Sequence, residues 1–468
     1  MDMKNERKRT FLLITIPILA LFVCFNTIPL IRGVIYSFTN FKGFGTYDWV
    51  GFRNYADLFT DGRVGKSYLF TFKLAVVTTV VVNVLSLVLA LALNSKIRAK
   101  SFFRGAYFLP NILGALVVGY IFNYFFTYIL PAFGSMIGSD AMGSSILSNP
   151  DTAWIGIMVV CSWQAIAMNT IIYISGLQTV PEDVYEAGGL DGATGWKQFR
   201  YLTFPLIIPF FSINMVLCVK NFLMVFDQIM ALTKGGPAQS TESISYLIYN
   251  NGMSGGQFGF QSANAVIFFL VIVTLSVAIH SVMGYALGRN KGHSKFYSFV
   301  YLFIVSGMFV PFAILMMPLA KQTAEMGLAN WFGVILLYVV FYMPMNIMLY
   351  SGYLVNIPIA LEEAAKVDGA STWRTYWKII FPIMRPMHAT VAVLTALAVW
   401  NDVMTPLVIM AGSDQNTLPL AQLNFQTQFG TNYNLAFASY LLSLIPILIF
   451  YVVCQRQILN GVVNGAVK

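Results

Sequence analysis

The sequence predicts an all-α polytopic membrane protein of about ten transmembrane helices in two parallel repeats. Three observations lead there. Apolar runs long enough to cross a hydrocarbon core of ~30 Å, which takes about 20 helical residues, recur along the whole chain. Charge is scarce: 10% of the 468 residues are Asp, Glu, Lys or Arg and 57% are hydrophobic, whereas a soluble domain carries about 25% charged residues. One polar segment then returns, residue for residue, 177 positions later.

The runs fall at roughly 11–33, 67–94, 105–130, 152–177, 204–232, 262–288, 297–320, 331–354, 385–411 and 434–455. The first is too long for the apolar core of a cleavable signal and lacks a small-residue cleavage site. Most of the 28 basic residues cluster in alternate loops, around Lys4–Arg9, Lys96–Arg104, Lys197–Arg200, Arg289–Lys295, Lys366–Arg385 and the C-terminus. The loops near 131–151 and 412–433 carry none, and the first outer loop is the exception with Lys42, Arg53, Arg63 and Lys66. The positive-inside rule therefore predicts a multi-pass protein of the cytoplasmic membrane with both termini in the cytoplasm. The +9 net charge does not point to nucleic acid, because the basic residues are few and sit in short loops between apolar runs. Cys24, Cys161, Cys218 and Cys454 are widely separated inside apolar runs and read as small buried hydrophobes, with no metal or disulfide spacing.

The recurring segment reads PEDVYEAGGLDGATGWKQFRYLTFPLIIP at 181–209 and PIALEEAAKVDGASTWRTYWKIIFPIMRP at 358–386. Glu186-Ala187 matches Glu363-Ala364, Asp191-Gly192 matches Asp368-Gly369, and Phe204-Pro205 matches Phe381-Pro382. An even number of crossings, four, separates the copies, so both lie on the cytoplasmic side and the halves are parallel. Locally, Pro181 and Pro358 suit a helix start and the acidic residues after them favour its positive end. Gly192 and Gly369 permit a sharp turn, with Asp191 and Asp368 as expected N-caps of a second short helix over Gly192–Arg200 and Gly369–Lys378. A plain linker between spans is the competing reading, but linkers do not repeat residue for residue.

The stretches EAGGLDGA at 186–193 and EAAKVDGA at 363–370 resemble the EAA loop of bacterial ABC importer permeases of the maltose-type and multiple-sugar group, raffinose-like oligosaccharide permeases among them. LTKGGPAQSTESISYLIYN at 232–250, WNDVMTPLVIM at 400–410 and TLPLAQLNFQ at 417–426 support the resemblance, which extends over nearly the whole chain. It implies two fused permease subunits of the MetI-like fold. The first half, 1–280, would hold six transmembrane helices and a coupling loop at 181–205. The second, 281–468, would hold four more and a coupling loop at 358–382. That second half looks N-terminally shortened: SVMGYALGRNKG at 281–292 resembles the inner end of a second helix, so one composite span at 262–288 stands where three would. The resemblance also implies that Glu186, Ala187, Asp191, Gly192, Glu363, Ala364, Asp368 and Gly369 contact a cytoplasmic dimer of ABC ATPases. Those subunits would bind ATP and Mg, leaving no cofactor in this chain. Further implied partners are an extracytoplasmic solute-binding protein, an oligosaccharide and, for the shortened half, an intact second permease subunit. The chain itself has no GxxxxGKS/T phosphate loop, no metal site and no catalytic constellation, its three histidines being scattered, so an enzyme is not expected.

Polar side chains inside apolar spans are costly and mark candidate translocation paths. The fifth run carries Lys220, Asn221 and Asp227, and the ninth, its counterpart, Trp400, Asn401 and Asp402. Asn and Asp hydrogen-bond sugar hydroxyls, and an aromatic face stacks on the sugar ring. A Lys220–Asp227 ion pair within one helix competes with this reading, although two turns of separation favour a partner on another helix. Outer-loop residues Asn424, Gln426, Gln428, Asn432 and Asn434 read as solvated or as contacts for an external protein, and Gly284 and Gly288 as a hint of close helix packing. The alternatives are a permease for a phosphorylated polyol or another small solute, and an ion-coupled secondary sugar transporter.

Overall fold

The computed structural model describes residues 16–94, 110–254 and 295–411, apart from a few single positions, together with Phe260 and scattered residues between 417 and 449. Six of the described helices are long and apolar enough to cross a membrane: α1 Leu19–Tyr36, α3 Gly62–Asn94, α4 Ala115–Met136, α5 Ala153–Gln178, α7 Trp196–Leu223 and α12 Trp331–Tyr350. Short helices stand between them: α2 Arg53–Thr60, α6 Glu182–Leu190, α8 Asp227–Leu232 and α9 Ile244–Tyr249. Two further candidate spans are bent pairs. α10 Ser298–Phe309 meets α11 Phe312–Glu325 at 99°, and α14 Trp377–Ile383 meets α15 Arg385–Asn401 at 60°. The repeat's other short helices are α13 Ala360–Val367 and α16 Met404–Ile409, and Gln426–Thr427 pairs antiparallel with Gly430–Thr431.

The described residues thus give six spans, or eight if each bent pair is one. The runs expected at 262–288 and 434–455 lie outside the described residues or almost so, and with them the composite sixth span, Gly284 and Gly288. Asn424, Gln428, Asn432 and Asn434 are outside as well. Among the described residues the third span runs over 115–136, beyond the expected end at 130, and the fifth and ninth runs are each broken before their end.

Bilayer physics explains why α3 is a helix at all. It contains the β-branched stretch Val76–Val82, favourable to a strand in water. In hydrocarbon every backbone N–H and C=O must be satisfied within the segment, and only a helix achieves that alone. Two wide turns of π type interrupt the repeat's spans, at Phe199–Thr203 and Tyr376–Ile380. Each immediately precedes a Phe-Pro pair, Phe204-Pro205 and Phe381-Pro382. Proline lacks an N–H and its ring crowds the carbonyl one turn back, so a widened turn is the cheapest way to carry the helix past it.

α3, α5 and α7 pack side by side, α8 lies along α4, and α1 crosses onto α11, which in turn carries α16. α1 therefore packs on the C-terminal part of the chain. Its approach depends on Gly33, where an added Cβ would stand 3.2 Å from the Ile314 carbonyl and 3.3 Å from Pro318 Cγ. Gln322 Nε2 donates to the Cys24 carbonyl at 2.9 Å, Arg32 meets Glu325 at 3.4 Å, and the Phe22 and Phe303 rings pack edge to face. One apolar core runs through this junction, from Phe22, Leu74 and Ile229 to Ile314, Leu337 and Val408.

Candidate functional site

The sequence repeat is also a repeat of backbone geometry. α6 and α13 occupy equivalent positions, Gly192 and Gly369 have φ of +76° and +74°, and the two wide turns are displaced by the same 177 residues. The positive φ explains the glycines. The Asp191 N–H donates to the Ala187 carbonyl and the Ala193 N–H to the Gly188 carbonyl; Asp368 and Ala370 repeat this with Ala364 and Ala365. A glycine in the left-handed conformation is thus the stop of the first short helix. Asp191 and Asp368 are therefore C-terminal to that helix rather than N-caps of the next, as expected from sequence. The next helix starts later, at Trp196 in the first copy and Thr372 in the second.

All eight expected loop residues, Glu186, Ala187, Asp191, Gly192, Glu363, Ala364, Asp368 and Gly369, are exposed. Two more join them that the sequence reading missed. Leu190 is 91% exposed and Val367, its counterpart, 88%. An apolar side chain is thus held outside at the same place in both copies. Gly188 departs from the repeat, whose second copy has Ala365, for a packing reason: a Cβ there would overlap Leu202.

The second constellation lies where the spans break. α7 ends at Leu223 and α8 begins at Asp227; α15 ends at Asn401 and α16 begins at Met404. α8 and α16 are again 177 residues apart. The breaks bring distant parts of the chain together. Asn401 lies against Gly114 at the foot of α4, where a Cβ would be 2.9 Å from Asn401 Oδ1, and Val403 packs with Leu116, Tyr120 and Ala231. Asp402 Oδ2 accepts the Thr405 N–H at 3.3 Å, closing the first turn of α16. Asp227 and Asp402 lie within electrostatic reach of each other, and Tyr338 and Tyr342 lie near Asp402. Asp227 Oδ1 is buried without a hydrogen-bond partner among the described residues. Gln228 Nε2 donates to Gln164 Oε1 at 3.0 Å, and Gln164 reaches the Leu113 carbonyl.

Asp227, Asn401 and Asp402 are thus gathered at one junction. Trp400 is partly exposed beside them at 37%, while Asn221 is exposed on the last turn of α7. No Lys220–Asp227 ion pair forms among the described residues, because the helix ends between the two. Gln164, Gln228, Tyr338 and Tyr342 were not singled out from sequence; Gln164 and Gln228 carried the signal, being polar within apolar runs.

The segment after α8 is fixed by a bidentate ion pair: Arg63 Nε and Nη2 each reach a Glu242 oxygen at 2.7 Å. Thr71 Oγ1 accepts the Ile244 N–H, and Ser243 Oγ donates to the Val225 carbonyl. Arg63 is one of the basic residues of the segment expected outside, and Glu242 is its buried partner.

Comparison with known proteins agrees with this geometry. The family described as "Binding-protein-dependent transport system inner membrane component" matches twice, over residues 82–289 and 280–462. The multiple sugar-binding transport system permease protein MsmF of Streptococcus mutans is 40% identical over 269 residues, 57% of this chain and 92% of the relative. MsmG of the same organism is 39% identical over 222 residues, 47% of this chain and 80% of its own length. A probable starch degradation products transport system permease protein, AmyD of Thermoanaerobacterium thermosulfurigenes, is 37% identical over 53% of this chain and 85% of its own. Among solved structures, a chain of a bacterial alginate ABC transporter, in complex with an alginate-bound periplasmic protein, has the same fold. It superposes with a TM-score of 0.52 at 21% identity, covering 61% of this chain and 98% of that one. The protein is a multi-pass membrane permease and not an enzyme; it belongs to the family of inner membrane components of binding-protein-dependent transport systems, with two permease domains fused in one chain.

Proposed function

We propose that this chain forms the translocation path of an ABC importer that carries an oligosaccharide into the cytoplasm by alternating access. A solute-binding protein delivers the sugar from outside. Two ATPase subunits grip the loops 181–205 and 358–382 in the cytoplasm, where both chain termini also lie. Their closure rocks the two halves, 1–280 and 281–468, about the broken spans. The division near residue 280 is supported by the meeting of the two family matches there. The sugar class is supported by the relatives, whose names specify multiple sugars and starch degradation products; raffinose-, melibiose- and maltose-like oligosaccharides fall within this range. Exposed Leu190 and Val367, with the glutamates beside them, support loop docking on the ATPase.

The observation that carries the path assignment is the repeated helix break, which sets Asn401 and Asp402 beside Gly114 and Asp227 at one junction. An interrupted helix at such a junction exposes backbone and side-chain hydrogen-bonding groups where a polar solute must pass. The test is oligosaccharide uptake by Asn221→Ala, Asn401→Ala and Asp402→Ala. A lost buried hydrogen bond costs about 1–3 kcal/mol, so affinity falls roughly ten- to a hundredfold for Asn401→Ala and Asp402→Ala, and less for the exposed Asn221→Ala. Unchanged affinity in all three places the path elsewhere.

A further inference from the structure

Each half contains an antiparallel helix hairpin, α5 with α7 and α12 with α15, whose tip is the exposed loop and whose far end is the break. Within each hairpin a polar contact crosses between the two helices. In the first, Cys218 Sγ donates to Asn169 Oδ1 at 3.2 Å, and Asn214 Nδ2 donates to the Asn169 carbonyl at 3.0 Å. Asn169, Asn214 and Cys218 are all buried. In the second, Asn346 Nδ2 donates to Thr395 Oγ1 at 3.1 Å. Asn346 is Asn169 displaced by 177 residues, and Thr395 is Cys218 displaced by the same amount. A tyrosine follows one turn later in both copies. Tyr173 donates to Asn83 Oδ1 at 2.7 Å, and Tyr350 lies 3.0 Å from His388 Nδ1, whose other nitrogen donates to the carbonyl of Phe381 at the loop exit.

These residues lie outside the loop motif, so the loop's partner does not account for their repetition. Nor does stability require them: apolar side chains of similar volume fill such positions at least as well, whereas a buried polar group must find a partner. The contact survives although one position has changed from thiol to hydroxyl. At 1.5 Å per residue, Cys218 and Thr395 stand about 8–9 Å from their breaks, with the rest of the span between them and the loop.

We propose that Asn169–Cys218 and Asn346–Thr395 are positioning pairs that lock each hairpin against sliding, so that it moves as one lever. Displacement of the loop by the ATPase then reaches the break instead of being absorbed between two smooth helices. The inference rests on the reading of the loops as the ATPase contacts. The hydrogen bonds add a directional constraint to the packed interface, since a polar pair meets in one register only.

The experiment uses the full chain with its ATPase and binding protein in vesicles, and reads sugar transported per ATP hydrolysed. It also reads the stimulation of ATP hydrolysis by sugar-loaded binding protein. Cys218→Thr and Thr395→Cys exchange the two copies' chemistry and retain the wild-type ratio. Asn214→Leu combined with Cys218→Val in the first hairpin, and Thr395→Val in the second, keep side-chain volume and remove the cross-helix bonds; they lower the ratio about three- to thirtyfold while basal hydrolysis and ATPase co-purification persist. Their melting temperature in detergent stays within about 3 °C of wild type. Valine variants with an unchanged ratio overturn the proposal. So do valine variants in which transport, hydrolysis and melting temperature fall together, since the contact is then structural only. Failure of the loop reading itself is separable: it appears as ATPase co-purification surviving Gly369→Val and the charged variants of Leu190 and Val367.

Discussion

Gly192 and Gly369 owe their place to backbone conformation and not to lack of room. No atom lies within 4 Å of an added Cβ at either, yet both have φ near +75°. A β-branched residue there costs about 1–2 kcal/mol and frays the helix end that presents the loop. Gly369→Val is expected to insert normally and to lose the co-purifying ATPase; full recovery of the ATPase would remove the loop from the docking surface. Leu190→Asp and Val367→Asp, which change no internal packing, are expected to weaken the same association without lowering the melting temperature. The Arg63–Glu242 pair is a different kind of residue-scale feature. Glu242 is 3% exposed at its side chain and Arg63 34%. Arg63→Leu strands a buried carboxylate at a cost of about 2–3 kcal/mol, less than for a fully enclosed pair because solvent screens part of the arginine. Thermal melting of the purified protein in detergent measures it, and a variant as stable as wild type would mean that Glu242 relaxes to solvent.

At the scale of elements, the contact of α1 with α11 is the most sensitive to shape. Gly33 is in near contact with the Ile314 backbone, which cannot rotate away as a side chain could. Gly33→Leu forces the helices apart, with an expected loss of about 1–3 kcal/mol. Gly65→Leu is the control, since a Cβ at Gly65 meets nothing within 4 Å, and it is expected to be neutral or slightly stabilising. Equal melting temperatures for the two variants would mean that α1 is free to move off α11. The bends between α10 and α11 and between α14 and α15 are also element-scale features with local causes. Pro311 and Pro386 stand at these bends, and a residue without an N–H starts a helix more easily than it continues one.

At the scale of the whole molecule, the question is whether two fused halves make one working path. The second half resembles a permease without its first helix, and the composite span proposed at 262–288 would serve both halves. On that reading one helix would stand for two places in two bundles, and a wall of the second half's path would be left to lipid or to another subunit. The expected outcome is weak ATP-dependent uptake by vesicles holding this chain, the ATPase and the binding protein alone, and strong uptake once an intact second permease is added. Robust uptake without the addition would show that the fused span suffices. The bilayer, the repeat and the family were all legible in the sequence, because each leaves a one-dimensional trace: run length, charge alternation and a constant offset. The loop residues were legible for the same reason, while Leu190 and Val367 were not, because a single apolar residue carries no sign of its own exposure.

The sequence alone determined that this chain is helical, spans a membrane repeatedly, is built of two parallel halves and carries two equivalent loops. Those properties follow from hydrophobic length and repetition, which act residue by residue along the chain. The tertiary structure decided what could arise only from distant segments meeting. It placed α1 against α11 through Gly33, gave Arg63 its partner 179 residues away, and gathered Asp227, Asn401, Asp402 and Tyr338 at one junction. It also paired Asn169 with Cys218 and Asn346 with Thr395 across each hairpin. In an apolar chain every span offers several faces of similar hydrophobicity, and only the packed arrangement selects which face meets which.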